Sequence, residues 1–174
     1  MAGVDGGIMF SADTLRGWTQ EVFQKIGVNR DDAVLLTDSL IEANLRGVDT
    51  HGITRMLCVY VERIRKGVMN AKTDLVVVRE KASTALIDCN NSIGQVGAAH
   101  AMRMAIEKAG QTGVAFTAVT HSNHYGMAAY WAMMALQHGM IGFSSTNAPA
   151  AVAPTGGCTA MFGTNPFAIA IPAG

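Results

Sequence analysis

A histidine and an arginine lie close together in the segment Asp49–Arg55, which reads DTHGITR. On one helix, His51 and Arg55 share a face as an i, i+4 pair, with Cβ atoms about 6 Å apart. That spacing suits a 2-hydroxy or 2-oxo acid, because Arg grips a carboxylate with two hydrogen bonds and His exchanges a proton near neutral pH. From spacing alone, a capped helix with a partly exposed His51 and a solvated Arg55 is the commoner explanation.

The helix that positions this pair is predicted from about Gly52 to Lys66. We expect Asp49 or Thr50 to cap it, which puts His51 in its first turn. The positive end of the helix would lower the pKa of His51 and favour the neutral imidazole, which can accept a proton from an alcohol.

A second polar cluster, His121–Gly126 or HSNHYG, follows a predicted strand and precedes a predicted helix. Loops at the carboxyl ends of strands commonly carry ligand-binding groups in α/β sheets. A polar turn that caps the next helix explains the segment equally well. His121 and His124 as metal ligands is the weaker interpretation, because no Cys, Asp or Glu is close in sequence.

Two further loops, residues 146–149 (TNAP) and 163–166 (GTNP), are small, polar and bounded by Gly or Pro. Such loops allow a cofactor to approach the backbone closely, although plain turns have the same composition. The chain has no GxGxxG motif, and residues 94–97 (GQVG) are too little to identify a phosphate-binding loop.

The surrounding pattern predicts a mixed α+β fold, with a helical region at residues 1–70 and an α/β core at residues 71–174. Because the chain stops just after an apolar strand, we expect the core to be the first part of a larger domain. The predicted elements are helices at about Ala12–Lys25 after the cap Ser11, from Asn29 to Gly47, at Gly94–Gln111 and at Met127–Gln137; strands at Leu75–Val78, Ala85–Asp88, Val114–Val119 and Ile141–Ser145, with an Asn90–Asn91 turn; and a hairpin-like pair near Ala160–Phe162 and Phe167–Ile171.

Composition excludes several partners. Thirteen basic and thirteen acidic residues leave no net charge, so neither nucleic acid nor an anionic membrane is expected to bind. No apolar run approaches the roughly 18 residues that span a bilayer. The three cysteines Cys58, Cys89 and Cys158 form no CxxC pair, which favours free thiols in the cytoplasm.

Together, the segments RGVDTHGITR, NNSIGQVGA, SNHYG, TNAPAAVAPTGG and FGTNPFAIAIP occur in an order and spacing that resembles the malate/L-lactate dehydrogenase family, from about residue 11 to the end. The resemblance implies a non-Rossmann fold and a homodimer whose active site is built from both subunits. It also implies hydride transfer between NAD or NADP and a small 2-hydroxy or 2-oxo acid such as malate or lactate.

The resemblance further implies roles for individual residues. His51 is expected to be catalytic and Arg55 to bind the substrate carboxylate. His124 is also expected to be catalytic, since in some members the matching residue is assigned as the proton acceptor. Cofactor contacts are expected at the two loops, from Thr146, Asn147, Ala148, Thr164 and Asn165, and no metal is expected.

The family pattern is roughly twice as long as this chain, and the segment with most of its nucleotide contacts is missing here. Tyr60 resembles an aromatic residue of the family but is offset by one position, so it receives no role. The alternative function is therefore a catalytically incomplete fragment that acts as a binding or dimerisation module. The sequence leaves open which acid is used, NAD or NADP, and which of His51 and His124 donates or accepts the proton.

Overall fold

The structure is a computed structural model and describes residues 9–173. This part of the chain falls into two compact units, one ending at Lys72 and the other beginning at Thr73. Within residues 9–173, no helix is both long enough and apolar enough to cross a membrane.

The first unit consists of helices α1 (Ala12–Lys25), α2 (Arg30–Leu45) and α3 (Ile53–Arg65). The predicted caps of the first two helices are confirmed. The Ser11 hydroxyl accepts the Thr14 N–H at 3.1 Å, and Asn29 Oδ1 accepts the Asp32 N–H at 2.9 Å. These contacts satisfy amide groups that have no partner inside the helix, and so they fix where each helix begins.

The core of the first unit follows the helical spacing of its apolar residues. The predicted stripe on α2 is confirmed, because all four of its members are fully buried: Ala33, Leu36, Leu40 and Ala43. Helix α1 packs against α2 through the buried Phe23, and α3 buries Ile53, Met56, Leu57 and Tyr60. This packing holds the start of α3 against the end of α2.

The start of α3 differs from the prediction. Residues Asp49–His51 form a separate 3₁₀ turn, and Gly52, in extended backbone, is the N-cap of α3. His51 therefore precedes the helix and does not lie in its first turn. The predicted caps Asp49 and Thr50 are wrong because Asn44, on α2, supplies the capping oxygen.

The second unit begins with a three-stranded sheet of β1 (Val76–Glu80), β2 (Thr84–Asp88) and β3 (Phe116–Thr120), in the order β1-β2-β3. Strands β1 and β2 are antiparallel, whereas β2 and β3 are parallel, with Asp88 opposite Thr120. Helix α4 (Gly94–Thr112) connects the parallel strands and packs on both of them. The carboxyl ends of β2 and β3 consequently meet at one edge of the sheet.

The remainder of this unit contains α5 (Ala128–Met133), a 3₁₀ segment (Met134–His138) and an antiparallel pair of strands, β4 (Gly142–Ser145) and β5 (Phe167–Ala170). Helix α5 packs on one face of this pair, where Gly142 and Ser144 are buried. The predicted helix Met127–Gln137 is thus α-helical only in its first half. The mixed α+β class is confirmed.

The predicted hairpin between Ala160–Phe162 and Phe167–Ile171 is wrong. Phe167 begins β5, which pairs with β4, while Phe162 forms an isolated bridge with Val152. The physical reason lies in the intervening loop, where the Asn165 side chain binds the backbone of Ala148 and turns the chain towards β4.

Candidate active site

The turn that carries His51 is built on the side chain of Asn44. Asn44 Oδ1 accepts the N–H of Ile53 at 2.8 Å, and its Nδ2 donates to Asp49 Oδ1 at 2.6 Å. One carboxamide thus caps α3 and fastens the preceding 3₁₀ turn. A Cβ atom at Gly52 would overlap the Asn44 carboxamide, so the glycine of the THG motif permits this contact.

His51 is a partly buried imidazole that contacts the preceding residue. The Thr50 hydroxyl and His51 Nδ1 lie 2.9 Å apart, and either group can be the donor in this hydrogen bond. Burial lowers the pKa of His51 from its usual 6.5, and the positive charge of Arg55 lowers it further. The imidazole is therefore neutral at neutral pH, as predicted, although burial and Arg55 are the causes and not the helix terminus.

Arg55 lies in the first turn of α3, and its guanidinium is exposed. Among residues 9–173, no carboxylate forms an ion pair with it. The structure brings Arg55 close enough to His51 for its charge to act on the imidazole. The charge of Arg55 therefore acts on the His51 imidazole, although the two residues do not share a continuous helix.

The second cluster lies at the edge where β2 and β3 end. His121 Nδ1 is 2.9 Å from Asp88 Oδ2, and Asn91 N donates to His121 O at 2.8 Å. The backbone N–H of Asn90 is the main cause of a lowered Asp88 pKa, and His121 adds to it. Asn90, Asn91 and His121 all have positive φ, which is typical of tight loops.

These contacts separate the two histidines of the cluster. The exposed His121 is bound to Asp88 through Nδ1, whereas His124 has different partners. Within residues 9–173, no group of three or more His, Cys, Asp or Glu side chains is arranged to hold a metal ion.

The His124 loop, which we define as residues 123–126, is anchored at both ends. Asn123 Nδ2 donates to three oxygens at 3.0 Å, namely Asn91 O, Asn91 Oδ1 and Ser92 O. At the other end, Trp131 Nε1 donates to Tyr125 O at 2.8 Å. The loop is therefore tied both to the edge of the three-stranded sheet and to α5.

The first turn of α4 packs directly beneath the His124 loop. A Cβ atom at Gly94 would overlap Asn123 O and would come within 2.5 Å of His124 O. Close packing against this loop thus explains why a glycine stands at residue 94. The neighbouring Gln95 is fully buried beside Gly126.

Within the loop, His124 and Tyr125 have different environments. The backbone N–H of Gly126 donates to His124 Nδ1 at 3.3 Å, with Gly126 at φ +77°. The Tyr125 hydroxyl lies 3.3 Å from Ser144 Oγ, and burial raises the pKa of this phenol while the hydrogen bond opposes the rise. Tyr125 is therefore a neutral hydroxyl at neutral pH.

The structure brings the two predicted cofactor loops together. Asn165 Oδ1 accepts the N–H of Ala148 at 2.9 Å, and Thr146 N donates to Pro166 O at 3.2 Å. A Cβ atom at Gly163 would overlap Ala148 O, so this approach also requires a glycine. The Asn147 and Thr164 side chains are exposed, with no hydrogen-bond partner among residues 9–173, which leaves their polar atoms open to a ligand.

Residues 10–174 match the sequence model of the malate/L-lactate dehydrogenase family, so the chain belongs to that family. It is 46% identical over 160 residues to a malate dehydrogenase of Pyrococcus abyssi, covering 92% of this chain and 44% of that protein. It is 40% identical over 150 residues to an L-sulfolactate dehydrogenase of Methanocaldococcus jannaschii, covering 86% and 43%. The chain thus spans about half the length of the relatives it matches.

The fold is that of the same family. The structure of malate dehydrogenase from Pyrococcus horikoshii OT3 matches 99% of this chain and 49% of its own, with a TM-score of 0.94 and 43% identity. The expected non-Rossmann fold, the family and the correspondence to its N-terminal half are confirmed.

Sequence reasoning missed Asn44 and Ser144. Asn44 lies near the end of α2, and nothing in the local sequence indicates its contacts with Asp49 and Ile53, five and nine residues later. Ser144 meets Tyr125 only through the packing of α5 on β4. Asp88 carried a signal, since an acidic residue at the carboxyl end of a strand is a candidate partner for a histidine at the next strand end.

Proposed function

We propose that the full-length protein is an NAD- or NADP-dependent dehydrogenase of a small 2-hydroxy acid, with malate and lactate as representative substrates. The observation that carries this proposal is a neutral imidazole, His51, held beside the exposed guanidinium of Arg55. The names of the relatives support the same class, because they include malate and sulfolactate dehydrogenases. We also propose that it works in the cytoplasm as a homodimer.

Arg55 binds the carboxylate of the acid and so orients C2. Its planar guanidinium presents parallel N–H groups that match the two carboxylate oxygens, and it has no carboxylate partner among residues 9–173 to displace. In a substrate held in this way, the C2 oxygen lies next to the bound carboxylate. A proton acceptor is therefore needed close to Arg55.

His51 is the proton acceptor in the direction of oxidation. When His51 Nδ1 donates to the Thr50 hydroxyl, the lone pair lies on Nε2 and can accept the substrate hydroxyl proton. The Thr50 hydroxyl can also rotate and donate, so this contact survives a change in the protonation of the ring. His124 is proposed as a further catalytic residue.

The cofactor is proposed to contact Thr146, Asn147, Ala148, Thr164 and Asn165. The side chains of Asn147 and Thr164, which have no hydrogen-bond partner among the described residues, fit the carboxamide and hydroxyl groups of a nicotinamide nucleotide. This cofactor accepts hydride from C2 when bound. The hydrogen bond from Ala148 N to Asn165 Oδ1 keeps the two loops in register for that contact.

The test is an assay of the full-length protein with malate, lactate and sulfolactate, each with NAD and NADP, following reduced nicotinamide by absorbance. Nucleotide binding is measured in parallel by nicotinamide fluorescence. Turnover of at least one acid with saturable nucleotide binding supports the proposal. Stable dimers that bind neither nucleotide and turn over none of the acids would establish the dimerisation module instead.

A further inference from the structure

The second residue of α4, Gln95, is a polar side chain in apolar surroundings. It is fully buried, although the other buried residues in the first two turns of α4 carry no polar side-chain atom: Gly94, Val96, Gly97 and Ala99. Among residues 9–173, neither Oε1 nor Nε2 of Gln95 has a hydrogen-bond partner. A buried amide without partners loses its hydrogen bonds to water and gains none in return, so this side chain points to a bound molecule.

Space for a small molecule lies between Gln95 and the His124 loop. A Cβ atom added at Gly126 would lie 3.7 Å from Gln95 Nε2 and 3.9 Å from Gln95 Cγ. Apart from Gly126 and the two residues next to it in the chain, no other heavy atom of residues 9–173 comes within 4 Å of that point. An atom-sized space therefore adjoins the carboxamide nitrogen, and it is of the size that a water molecule needs.

The His124 loop separates this space from solvent. Gly94 packs against Asn123 O, and Asn123 Nδ2 donates to Ser92 O at 3.0 Å, which holds the loop down on the start of α4. Gln95 consequently has no exposed surface. A molecule bound to its carboxamide must be small and must stay inside the fold.

The carboxamide selects among small molecules, because it needs a donor and an acceptor together. A cation would satisfy only Gln95 Oε1 and an anion only Nε2, whereas water can donate to the oxygen and accept from the nitrogen. Buried waters in folded proteins bond polar groups that have no other partner. We propose that Gln95 and Gly126 form a binding site for an ordered water molecule, which joins α4 to the His124 loop.

Gly126 contributes to this water site in two ways. Its φ of +77° is a conformation that glycine adopts without strain, and its missing side chain leaves the space beside Gln95. Both residues belong to the second unit, so the site is complete within that unit. The site does not depend on the proposed dehydrogenase activity, and it persists if the full-length protein oxidises no hydroxy acid.

The water is tested directly by a high-resolution crystal structure of the full-length wild-type protein, refined with no water placed at the site. We expect residual electron density within about 3.2 Å of Gln95 Nε2 and of Gln95 Oε1. An absence of density there, or a carboxamide whose two polar atoms both bond protein groups directly, overturns the proposal.

The energetic contribution of the water is tested with Gln95→Met, which removes both polar atoms with little change in volume. If water satisfies the carboxamide, its hydrogen bonds are lost, and we expect Tm of the full-length protein to fall by roughly 2 °C or more. The matched control is Gln111→Met, at an exposed position on the same helix, which should leave Tm unchanged because Gln and Met have similar helix propensities.

The sign of the shift distinguishes a satisfied carboxamide from an unsatisfied one. Replacing an unsatisfied buried amide by an apolar group of similar shape stabilises a fold or leaves its stability unchanged. A Gln95→Met variant that melts at or above the temperature of Gln111→Met would therefore overturn the proposal. The crystallographic test uses the wild-type protein, so it decides the question even if Gln95→Met does not fold.

Discussion

His51 and His124 are held through the same ring atom by partners of opposite character. At His51, the partner of Nδ1 is a hydroxyl that can donate or accept, and the pKa is lowered by burial and by Arg55. At His124, the partner is a backbone N–H that only donates. The Thr50 hydroxyl can donate to or accept from the His51 ring, whereas the Gly126 N–H requires a lone pair on His124 Nδ1.

The two environments also differ in how the fold builds them. The His51 turn depends on one side chain, Asn44, which caps α3 and binds Asp49. The His124 loop depends on backbone packing over Gly94 and on hydrogen bonds from Asn123 and Trp131. Two residues of one type, each in a short polar motif, are therefore positioned by contacts between those motifs and residues outside them.

The largest expected effect is on catalysis at His51. His51→Ala removes the proton acceptor, and we expect kcat of the full-length enzyme to fall by roughly 10²- to 10⁴-fold. Steady-state kinetics of hydroxy acid oxidation measure this loss. The control is His138→Ala, at an exposed histidine, which should leave kcat unchanged. Wild-type turnover in His51→Ala would contradict its proposed role as the proton acceptor.

Removing the guanidinium of Arg55 is expected to weaken substrate binding. Arg55→Ala loses charge-assisted hydrogen bonds to the carboxylate, so KM should rise roughly 10- to 100-fold. Arg55→Lys keeps the charge but not the parallel N–H groups and should fall between Ala and wild type. Arg103→Ala, at an exposed arginine of α4, is the control with unchanged KM. An unchanged KM in Arg55→Ala would contradict the proposed carboxylate contact.

The same variant should move the pH profile in a defined direction. Arg55 lowers the pKa of His51, so its removal raises that pKa. In the oxidation direction the reactive imidazole is neutral, and activity is lost as the pH falls through its pKa. The acid limb of kcat/KM should therefore lie below pH 6.5 in wild type and shift to higher pH in Arg55→Ala. A shift to lower pH would show that His51 does not control this limb.

A methyl group beneath the His124 loop should disturb that loop alone. Gly94→Ala places a Cβ against Asn123 O and His124 O, which we expect to lower the free energy of unfolding by roughly 1 to 3 kcal/mol and to reduce kcat. Gly17→Ala, in α1, is the matched control, because nothing lies within 4 Å of the Cβ that it adds. Alanine in a helix should raise the free energy of unfolding by about 0.5 to 1 kcal/mol relative to glycine. Denaturant unfolding and kinetics measure both. A stable, fully active Gly94→Ala would contradict the close packing.

Much of the fold could be predicted from sequence because local signals determine it. The capping residues Ser11 and Asn29 predict where the first two helices begin, and the spacing of Leu36 and Leu40 identifies the buried face of α2. The start of α3 could not be predicted, because its capping oxygen comes from Asn44, on another helix. The local capping candidates were Asp49 and Thr50, but the tertiary contact from Asn44 determined where α3 begins.

The candidate site, like the fold, could be predicted from sequence only in part. The sequence predicted that His51 and Arg55 act on one substrate and that the two loops contact the cofactor, and both remain predictions. It could not predict the Nδ1 partners of the histidines, because a hydroxyl one residue before His51 and an N–H two residues after His124 are common in any loop. Only the backbone conformation decides which of these groups reaches the ring.

The smallest expected effect is at Asn44, and it separates stability from chemistry. Asn44→Ala removes the cap of α3 and the contact with Asp49, so it should cost about 1 to 2 kcal/mol of unfolding free energy and lower kcat/KM, because the His51 turn loosens. Asn29→Ala removes an equivalent cap and an equivalent aspartate contact at α2. It should cost a similar free energy with unchanged kinetics. If both variants lose activity equally, the kinetic effect reflects stability and Asn44 does not position His51.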